Sequence, residues 1–464
     1  MRRLSSWAIP AGIAFGVVAT FALMTALLKV LDHSSYDIGG ALLVAPVLVA
    51  ISVPFVTWAA KKDFAFRTML YTSLAVKALF TVVRYIVIFN VYGGNADASR
   101  YHDVGTGLVS KWRHGSISFG GVLPIARGTA FIERLTATVY SVIGPSKFGG
   151  FLVFSWFSWM GLVLFAKAMD VGYPGADRRR YRLGVLFLPS LLFWPSSLGK
   201  EAWMVFMLGL GSYGVARLLN HRIGGATITA VGLVGAGAVR SHVSAVVVAA
   251  LAGAFIVRSR RGDDAVFGSV LNILGMVGIV VVLSFAVSRA GSDLGGESQN
   301  QVGSILNRTA AQTLEGGSTF ESVRANSPAQ YPLALFTVLF RPTLLEVRNA
   351  TQLQAAAETT LLAIIACRSW RRLVRLPRVM LSNSYLLFAT LYVAIFCFAW
   401  SSIGNFGILA RQRTQVLPFL LLLFAVPKQP EQLEQPHESP RPTIRPVPRP
   451  SSSPESAIAR PSRL

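Results

Sequence analysis

The sequence predicts an all-α fold: a polytopic transmembrane bundle of about twelve spans. Hydrophobic residues make up 53% of the 464 positions and charged residues 14%, whereas soluble domains carry about 25% charged residues. Many apolar segments reach the ~20 residues that a spanning helix needs. Basic residues are concentrated in the short loops between these segments, which is the positive-inside pattern.

Composition also excludes some classes. A net charge of +23 would suggest nucleic acid in a soluble chain, but here the basic residues lie between spans, so we expect a lipid bilayer and no nucleic acid as partner. Cys367 and Cys397 lie in apolar segments, which favours core packing over a disulfide or a metal pair. We expect no cofactor and find no metal-ligand spacing, although a divalent metal remains compatible with the chemistry predicted below.

The first half of the chain is read as four spans and two hairpins. Arg2 and Arg3 predict a cytoplasmic N-terminus, and the apolar run after them is longer than a signal-peptide core. Residues 93–147 contain no clean span and predict an outer loop with interfacial helices, one of them the amphipathic stretch Phe131–Ile143. The predicted spans are 7–30, 38–60, 68–92 and 148–168, and the hairpins are 183–219 and 225–257.

Each hairpin has a short arm, a polar turn and a return arm. An arm of about 15 residues reaches only ~22 Å, so we expect these broken hairpins to line a cavity that opens to the outer face. Lys77 and Arg84 share one face of the third span, where they line this cavity or extend to the headgroups.

The second half predicts further spans and a tail. Residues 331–340 are read as a re-entrant segment, and 428–464 as a disordered, basic, Pro- and Ser-rich cytoplasmic tail. Residues 1–427 then form the transmembrane catalytic domain. The remaining predicted spans are 266–288, 353–367, 382–402 and 416–426.

Polar clusters interrupt the apolar segments at their turns. A charge at membrane depth costs roughly 3 kcal/mol, so chains that place ionisable groups there usually use them. The predicted topology puts all the clusters on the outer side, as expected for an active site. The clusters are Asp97–Asp103, Lys200–Glu201, Arg240–His242, Arg341–Glu346 and Arg411–Arg413.

The carboxylates are the catalytic candidates. An enzyme that transfers a sugar removes a proton from an acceptor hydroxyl, and a positioned carboxylate can do this. Asp97 is favoured over Asp103 because it lies nearer the membrane, and Glu201 would orient the acceptor or pair with Lys200. The alternative for the first cluster is a solvated loop with an Asx turn or helix cap.

The cationic and aromatic residues of the clusters are the binding candidates. Planar guanidinium groups bind phosphates through two parallel hydrogen bonds, and Arg240 lies between arms rich in Ala, Val and Gly. The alternatives are snorkelling pairs and rim charges. The predicted substrate-binding residues are Tyr101, His102, Lys200, Arg240, His242, Arg341, Glu346, Arg411 and Arg413.

These motifs resemble known membrane enzymes. Asp97 with Tyr101 resembles the acidic loop motif of GT-C-type integral-membrane glycosyltransferases. The turn Phe193-Trp-Pro-Ser-Ser-Leu-Gly-Lys-Glu201, the Arg-Ser-His turn and the late outer arginines are similar to bacterial envelope polysaccharide enzymes, including Wzy-like and EpsG-like polymerases. The chain departs from typical GT-C members by having three spans before the acidic loop and no large C-terminal soluble domain.

The resemblance implies a function. The donor would be a sugar on a polyprenyl phosphate or diphosphate at the outer face of a bacterial cytoplasmic membrane, and the acceptor a glycan. Asp97 would match the acidic loop residue, and Arg240, Arg341 and Arg411 the lipid-phosphate ligands. The C-terminal tail would contact other envelope-synthesis proteins. The alternatives are a transporter or flippase of lipid-linked or anionic envelope precursors, and a scaffold subunit.

Overall fold

The computed structural model describes residues 35–114, 126–259, 319–320, 328–348 and 350–427. Within these ranges the fold is all-helical, as predicted, and the one β contact is an isolated bridge between Thr319 and Asn405. The predicted spans 7–30 and 266–288, most of the loop between 289 and 330, and the tail 428–464 lie outside the described residues.

Sixteen α-helices follow one another in the described part of the chain. They are α1 (Ser35–Ala60), α2 (Phe64–Ile86, continued by a π-turn Val87–Val91), α3 (Asp97–Arg113), α4 (Thr129–Ile143), α5 (Lys147–Gly172), α6 (Arg178–Phe187), α7 (Pro189–Phe193), α8 (Lys200–Leu219), α9 (Gly225–Val239), α10 (Ser241–Ser259), α11 (Tyr331–Phe340), α12 (Ala350–Arg368), α13 (Trp370–Ser382), α14 (Ser384–Trp400), α15 (Phe406–Arg413) and α16 (Leu417–Phe424).

Four of these helices are long and apolar enough to cross a membrane: α1, α2 with its π-turn, α5 and α8. Helices α9, α10, α11 and α14 are apolar but shorter. The membrane character of the chain is therefore supported, whereas the count of about twelve spans is not confirmed. Most residues of α5 and α8 are buried inside the bundle, whereas most residues of α1 and α2 are only partly buried or exposed.

Small residues let the central helices pack backbone against backbone. A Cβ on Gly161 of α5 would overlap the carbonyl of Val205 in α8, and one on Gly209 would overlap the carbonyl of Gly161. In the same way, a Cβ on Gly232 of α9 would overlap Gly211 of α8. Such close approach is typical of helices that associate in lipid, where packing replaces the hydrophobic driving force.

The bundle has two polar ends. At one, which we call the basic end, Arg182 pairs with Asp63 at 2.7 Å and with Asp170 at 3.1 Å. Helices α1 and α5 end there, and α2 and α6 begin there. At the opposite end, the backbone N–H of Lys147 donates to Asp37 at 2.7 Å. The long helices thus alternate in direction between the same two ends.

The first predicted hairpin is broken inside the bundle. Pro189 begins the short helix α7, and the buried turn Trp194–Gly199 separates it from α8. Lys77 Nζ donates to the carbonyls of Leu191 at 2.9 Å and Leu192 at 3.2 Å. These bonds satisfy carbonyls that the broken helix leaves without intrahelical partners.

Two segments differ from the sequence prediction. Phe406–Arg413, expected in an outer loop, is helix α15, and Trp370–Ser382, expected in a basic inner loop, is helix α13. Asp97–Arg113 is helix α3, within the region predicted to be an outer loop with interfacial helices. All three are polar on at least one side, so no continuous apolar run marks them. The predicted interfacial helix Phe131–Ile143 and the helix Tyr331–Phe340 are present as α4 and α11.

Candidate active site

The two hairpin turns meet at the end of the bundle opposite the basic end. Glu201 lies in the first turn of α8, where the helix dipole favours a negative charge. Its Oε1 accepts a hydrogen bond from Arg240 Nη2 at 3.1 Å, and the two side chains are only 15% and 11% exposed. When an ion pair is this well shielded from water, loss of either partner leaves an uncompensated buried charge and destabilises the fold.

The packing of α9 against α8 brings Arg240 to this position. Trp203 Nε1 of α8 donates to the carbonyl of Gly235 in α9 at 2.8 Å. Arg240 then follows the last residue of α9 with an extended backbone, at φ −142° and ψ 89°. Its guanidinium is thereby directed toward the start of α8, and its Nη1 is buried without a hydrogen-bond partner.

Asp97 supplies an accessible carboxylate beside this pair. It is the first residue of α3 and its side chain is 68% exposed. Arg411, in the last turn of α15, approaches it with 3.6 Å between Nη1 and Oδ2 and also lies within electrostatic range of Glu201. An exposed pair at this distance contributes about 0–1 kcal/mol, so Asp97 remains available to a ligand.

Lys200 and Tyr101 are both within electrostatic range of the two carboxylates. Lys200 Nζ donates to Thr129 Oγ1 at 2.8 Å and is within electrostatic range of Arg240, Asp97 and Glu201. Tyr101 is buried one helical turn after Asp97. Burial, together with the negative charges of Asp97 and Glu201, raises the pKa of its phenol, so the hydroxyl stays protonated at neutral pH.

Arg84 is a member of the site that the sequence marked only weakly. This α2 residue is 8% exposed, and its guanidinium lies 4.7 Å from the ring centroid of Phe193 and 4.9 Å from that of Trp194. The guanidinium makes no hydrogen bond or ion pair to the residues that the structure describes, and its Nε is buried without a partner. Arg411 and Glu201 are within electrostatic range.

Together these residues form what we call the Glu201 cluster. Four cationic side chains surround two carboxylates, so the cluster carries a net positive charge within a largely apolar bundle. Such a site attracts an anion and can offer it several N–H donors. The members are Arg84, Asp97, Lys200, Glu201, Arg240 and Arg411.

His102 and Asp103 point elsewhere. His102 Nδ1 shares a hydrogen bond with the Tyr140 hydroxyl at 2.8 Å, and the exposed Asp103 is within electrostatic range of the same imidazole. Because α3 is a helix, Asp97 and Tyr101 share one face while the next two residues lie on another.

The remaining predicted binding residues form a neighbouring group. Arg341 Nε donates to Glu346 Oε1 at 2.7 Å, and its guanidinium lies 4.7 Å from the Phe320 ring centroid. Burial raises the pKa of Glu346, but hydrogen bonds from Arg341 and Thr343 outweigh it, so the net shift is downward.

Arg413 and His242 have contacts of their own. Arg413 is 1% exposed and donates through Nε to the carbonyl of Val338 at 2.9 Å and through Nη2 to that of Arg341. These bonds tie α15 to α11, so Arg413 supports the local structure. The exposed His242 lies against Trp400, with ring centroids 5.4 Å apart, and within electrostatic range of Arg240.

Comparison with known proteins leaves the site to be argued from its geometry. No protein-family model matches the chain, and no curated protein and no solved structure is significantly similar to it. In the part of the chain that the structure describes, no three His, Cys, Asp or Glu side chains are grouped closely enough to hold a metal ion.

Proposed function

We propose that the protein is a membrane glycosyltransferase or polysaccharide polymerase that uses a sugar donor linked to polyprenyl phosphate or diphosphate. The observation that carries the proposal is the net positive Glu201 cluster, in which the buried guanidinium of Arg84 is within electrostatic range of Glu201 and Arg411, and Arg411 approaches the exposed carboxylate of Asp97. Aromatic rings contact this guanidinium, but in the described part of the chain it has no carboxylate or hydrogen-bonding partner. Such a buried charge is costly, and the phosphate of a bound donor would relieve that cost.

The cluster offers N–H groups suited to a phosphate. Arg240 uses Nη2 for Glu201 but keeps a buried, unpaired Nη1, and Arg84 keeps its Nε. Lys200 and Arg411 add charge at the edge of the site. A guanidinium group can bind two phosphate oxygens at once, which an ammonium group cannot. Three of the four cations in the cluster are arginines.

The proposed reaction transfers the sugar to an acceptor hydroxyl. Asp97 takes the proton from the acceptor hydroxyl while the hydroxyl oxygen forms a bond to the anomeric carbon of the donor sugar. The bond between that carbon and the phosphate oxygen breaks, and the electron pair leaves with the lipid phosphate. Arg84 and Arg240 stabilise the charge that develops on the leaving group. The exposure of Asp97 suits the approach of a glycan chain.

We assign the cluster to the extracytoplasmic face of a bacterial cytoplasmic membrane, within an outward-facing cavity. Support comes from the basic end, because short cytoplasmic loops carry an excess of Lys and Arg. If residues 7–30 cross the membrane as the sequence predicts, both termini are cytoplasmic. The basic residues at that end are Lys61, Lys62, Arg67, Arg178, Arg179, Arg180, Arg182, Arg217, Arg222, Arg368, Arg371, Arg372, Arg375 and Arg378.

Glycan transfer from a polyprenyl-linked donor in membranes, with protein level measured alongside, tests this proposal. Asp97→Asn keeps the shape of the side chain and removes the base, so it should lose about 100-fold or more in transfer. Arg240→Lys should already impair transfer, because a point charge cannot replace the guanidinium fork. Asp103→Asn is the matched control and should retain full activity. Unchanged transfer in Asp97→Asn and Arg240→Lys would contradict the proposal.

A transporter or flippase for lipid-linked precursors is the second candidate. Buried polar groups continue inward from the cluster along α2, since Thr81 Oγ1 donates to Ser155 Oγ at 2.6 Å and Lys77 lies one turn further. Lys77, however, already donates to the carbonyls of the broken helix, which assigns it a structural role. Lipid translocation without glycan transfer in proteoliposomes of the purified chain would favour this candidate.

A further inference from the structure

Helix α13 is held against the basic end of the bundle by one of its faces. Arg372 is 6% exposed, donates through Nη1 to the carbonyl of Val426 at 2.7 Å, and pairs through Nη2 with Asp177 at 3.0 Å. The partly buried Leu373 and Leu376 pack against the core on the same side. Two polar bonds and an apolar contact therefore fix the rotation of the helix about its axis.

The opposite face of α13 combines apolar and basic side chains. Trp370, Val374 and Leu381 are 58%, 70% and 42% exposed. Their spacing of four and seven residues places them on one stripe of the helix. Arg371, Arg375 and Arg378 are also exposed and flank this stripe, and α13 contains no acidic residue.

The position of α13 in the bundle matches a membrane surface. It directly follows α12 and directly precedes the apolar helix α14. Its partner Asp177 lies in the turn between α5 and α6, where the long apolar helix α5 has ended. The helix therefore lies at the level where the apolar part of the bundle gives way to its polar, basic end.

We propose that the exposed face of α13 binds the headgroups of anionic phospholipids in the adjacent leaflet. An interfacial helix buries its apolar stripe at the acyl boundary while its arginines contact lipid phosphates. An acidic protein would pair with the arginines but would leave Trp370, Val374 and Leu381 without apolar cover. The proposal is independent of the reaction at the Glu201 cluster.

Fluorescence quenching by brominated lipids tests this surface in the full chain. The protein is reconstituted in nanodiscs of phosphatidylcholine with a fixed fraction of brominated phosphatidylglycerol or brominated phosphatidylcholine. The Trp370 signal is the difference between the wild type and Trp370→Phe. We expect brominated phosphatidylglycerol to quench Trp370 more strongly than brominated phosphatidylcholine at equal content.

Charge variants then assign the preference to α13. The variant R371Q/R375Q/R378Q should reduce the preference for the anionic lipid by about tenfold or more, since each surface arginine contributes about fivefold to the partition equilibrium. The control K61Q/K62Q/R222Q removes three exposed cations from the same end and should retain the preference. Both variants keep Arg372, and size-exclusion chromatography checks their folding.

Three results would overturn the proposal: equal quenching by both lipids, an unchanged preference in the α13 variant, or no quenching of Trp370 by either lipid. The last would show that this face lies in water or under a protein.

Discussion

Glu201 and Arg240 are 39 positions apart in the sequence, yet their side chains form an ion pair of 3.1 Å that is largely shielded from water. Each lies at the turn of a different broken hairpin, so the pair joins the two hairpins at one end of the bundle. Removal of one partner leaves the other charge buried and uncompensated.

Glu201→Gln should therefore destabilise the folded protein by about 3 kcal/mol, because the amide cannot neutralise Arg240. Thermal unfolding in a fixed detergent measures this loss. Asp103→Asn changes an exposed carboxylate on another face of α3 and should shift stability by less than about 0.5 kcal/mol. Equal effects of the two substitutions would argue against a buried pair.

Gly161→Ala should disturb the contact between α5 and α8, because the added Cβ overlaps the carbonyl of Val205. Overpacking of this kind costs about 1–3 kcal/mol, and the Tm in detergent should fall accordingly. The control is Gly39→Ala in α1, where a Cβ meets nothing within 4 Å. There, alanine should leave the Tm unchanged or raise it.

The Tm should fall as the pH is lowered from about 7 toward 5, in part because of His102. Burial, with the nearby charge of Lys147, lowers the pKa of this imidazole below its usual value of 6.5. The folded state thus resists protonation, and stability is lost as the pH falls from the unfolded pKa through the folded one. His102→Gln should reduce this slope, whereas a slope unchanged from that of the wild type would contradict the assignment.

Cysteine labelling should place the two ends of the bundle on opposite sides of the membrane. Cys367 is exposed and is first replaced by alanine. In that background, Ser241→Cys beside the Glu201 cluster should react with an impermeant thiol reagent added to cells stripped of any outer barrier. Ser382→Cys, at the end of α13, should react only after lysis. The reverse pattern would place the cluster in the cytoplasm.

Local sequence features allowed much of the cluster to be predicted. Pro195 breaks an apolar run just before Lys200 and Glu201, and Arg240 interrupts a run of small residues. Both signals mark turns without any knowledge of the packing. The pairing of Asp97 with Arg411 and of Glu201 with Arg240 depends on how the helices pack. The sequence alone does not predict these pairs.

The role of Arg84 could not be read from its own surroundings. An arginine near the end of an apolar helix usually extends its charge to the headgroups, and its aromatic partners Phe193 and Trp194 belong to a distant turn. The sequence also placed Asp97 and Asp103 in one candidate cluster, whereas in helix α3 they lie on different faces.

Binding of a lipid-linked phosphate to the Glu201 cluster can be measured directly. The purified full chain is titrated with a short-chain polyprenyl diphosphate sugar and with the matching neutral polyprenol, and the Tm is measured. We expect the diphosphate to raise the Tm of the wild type and of Asp97→Asn but to have much less effect on Arg84→Gln, while the polyprenol has no effect. Equal shifts with both lipids, or an undiminished shift in Arg84→Gln, would contradict phosphate binding at this cluster.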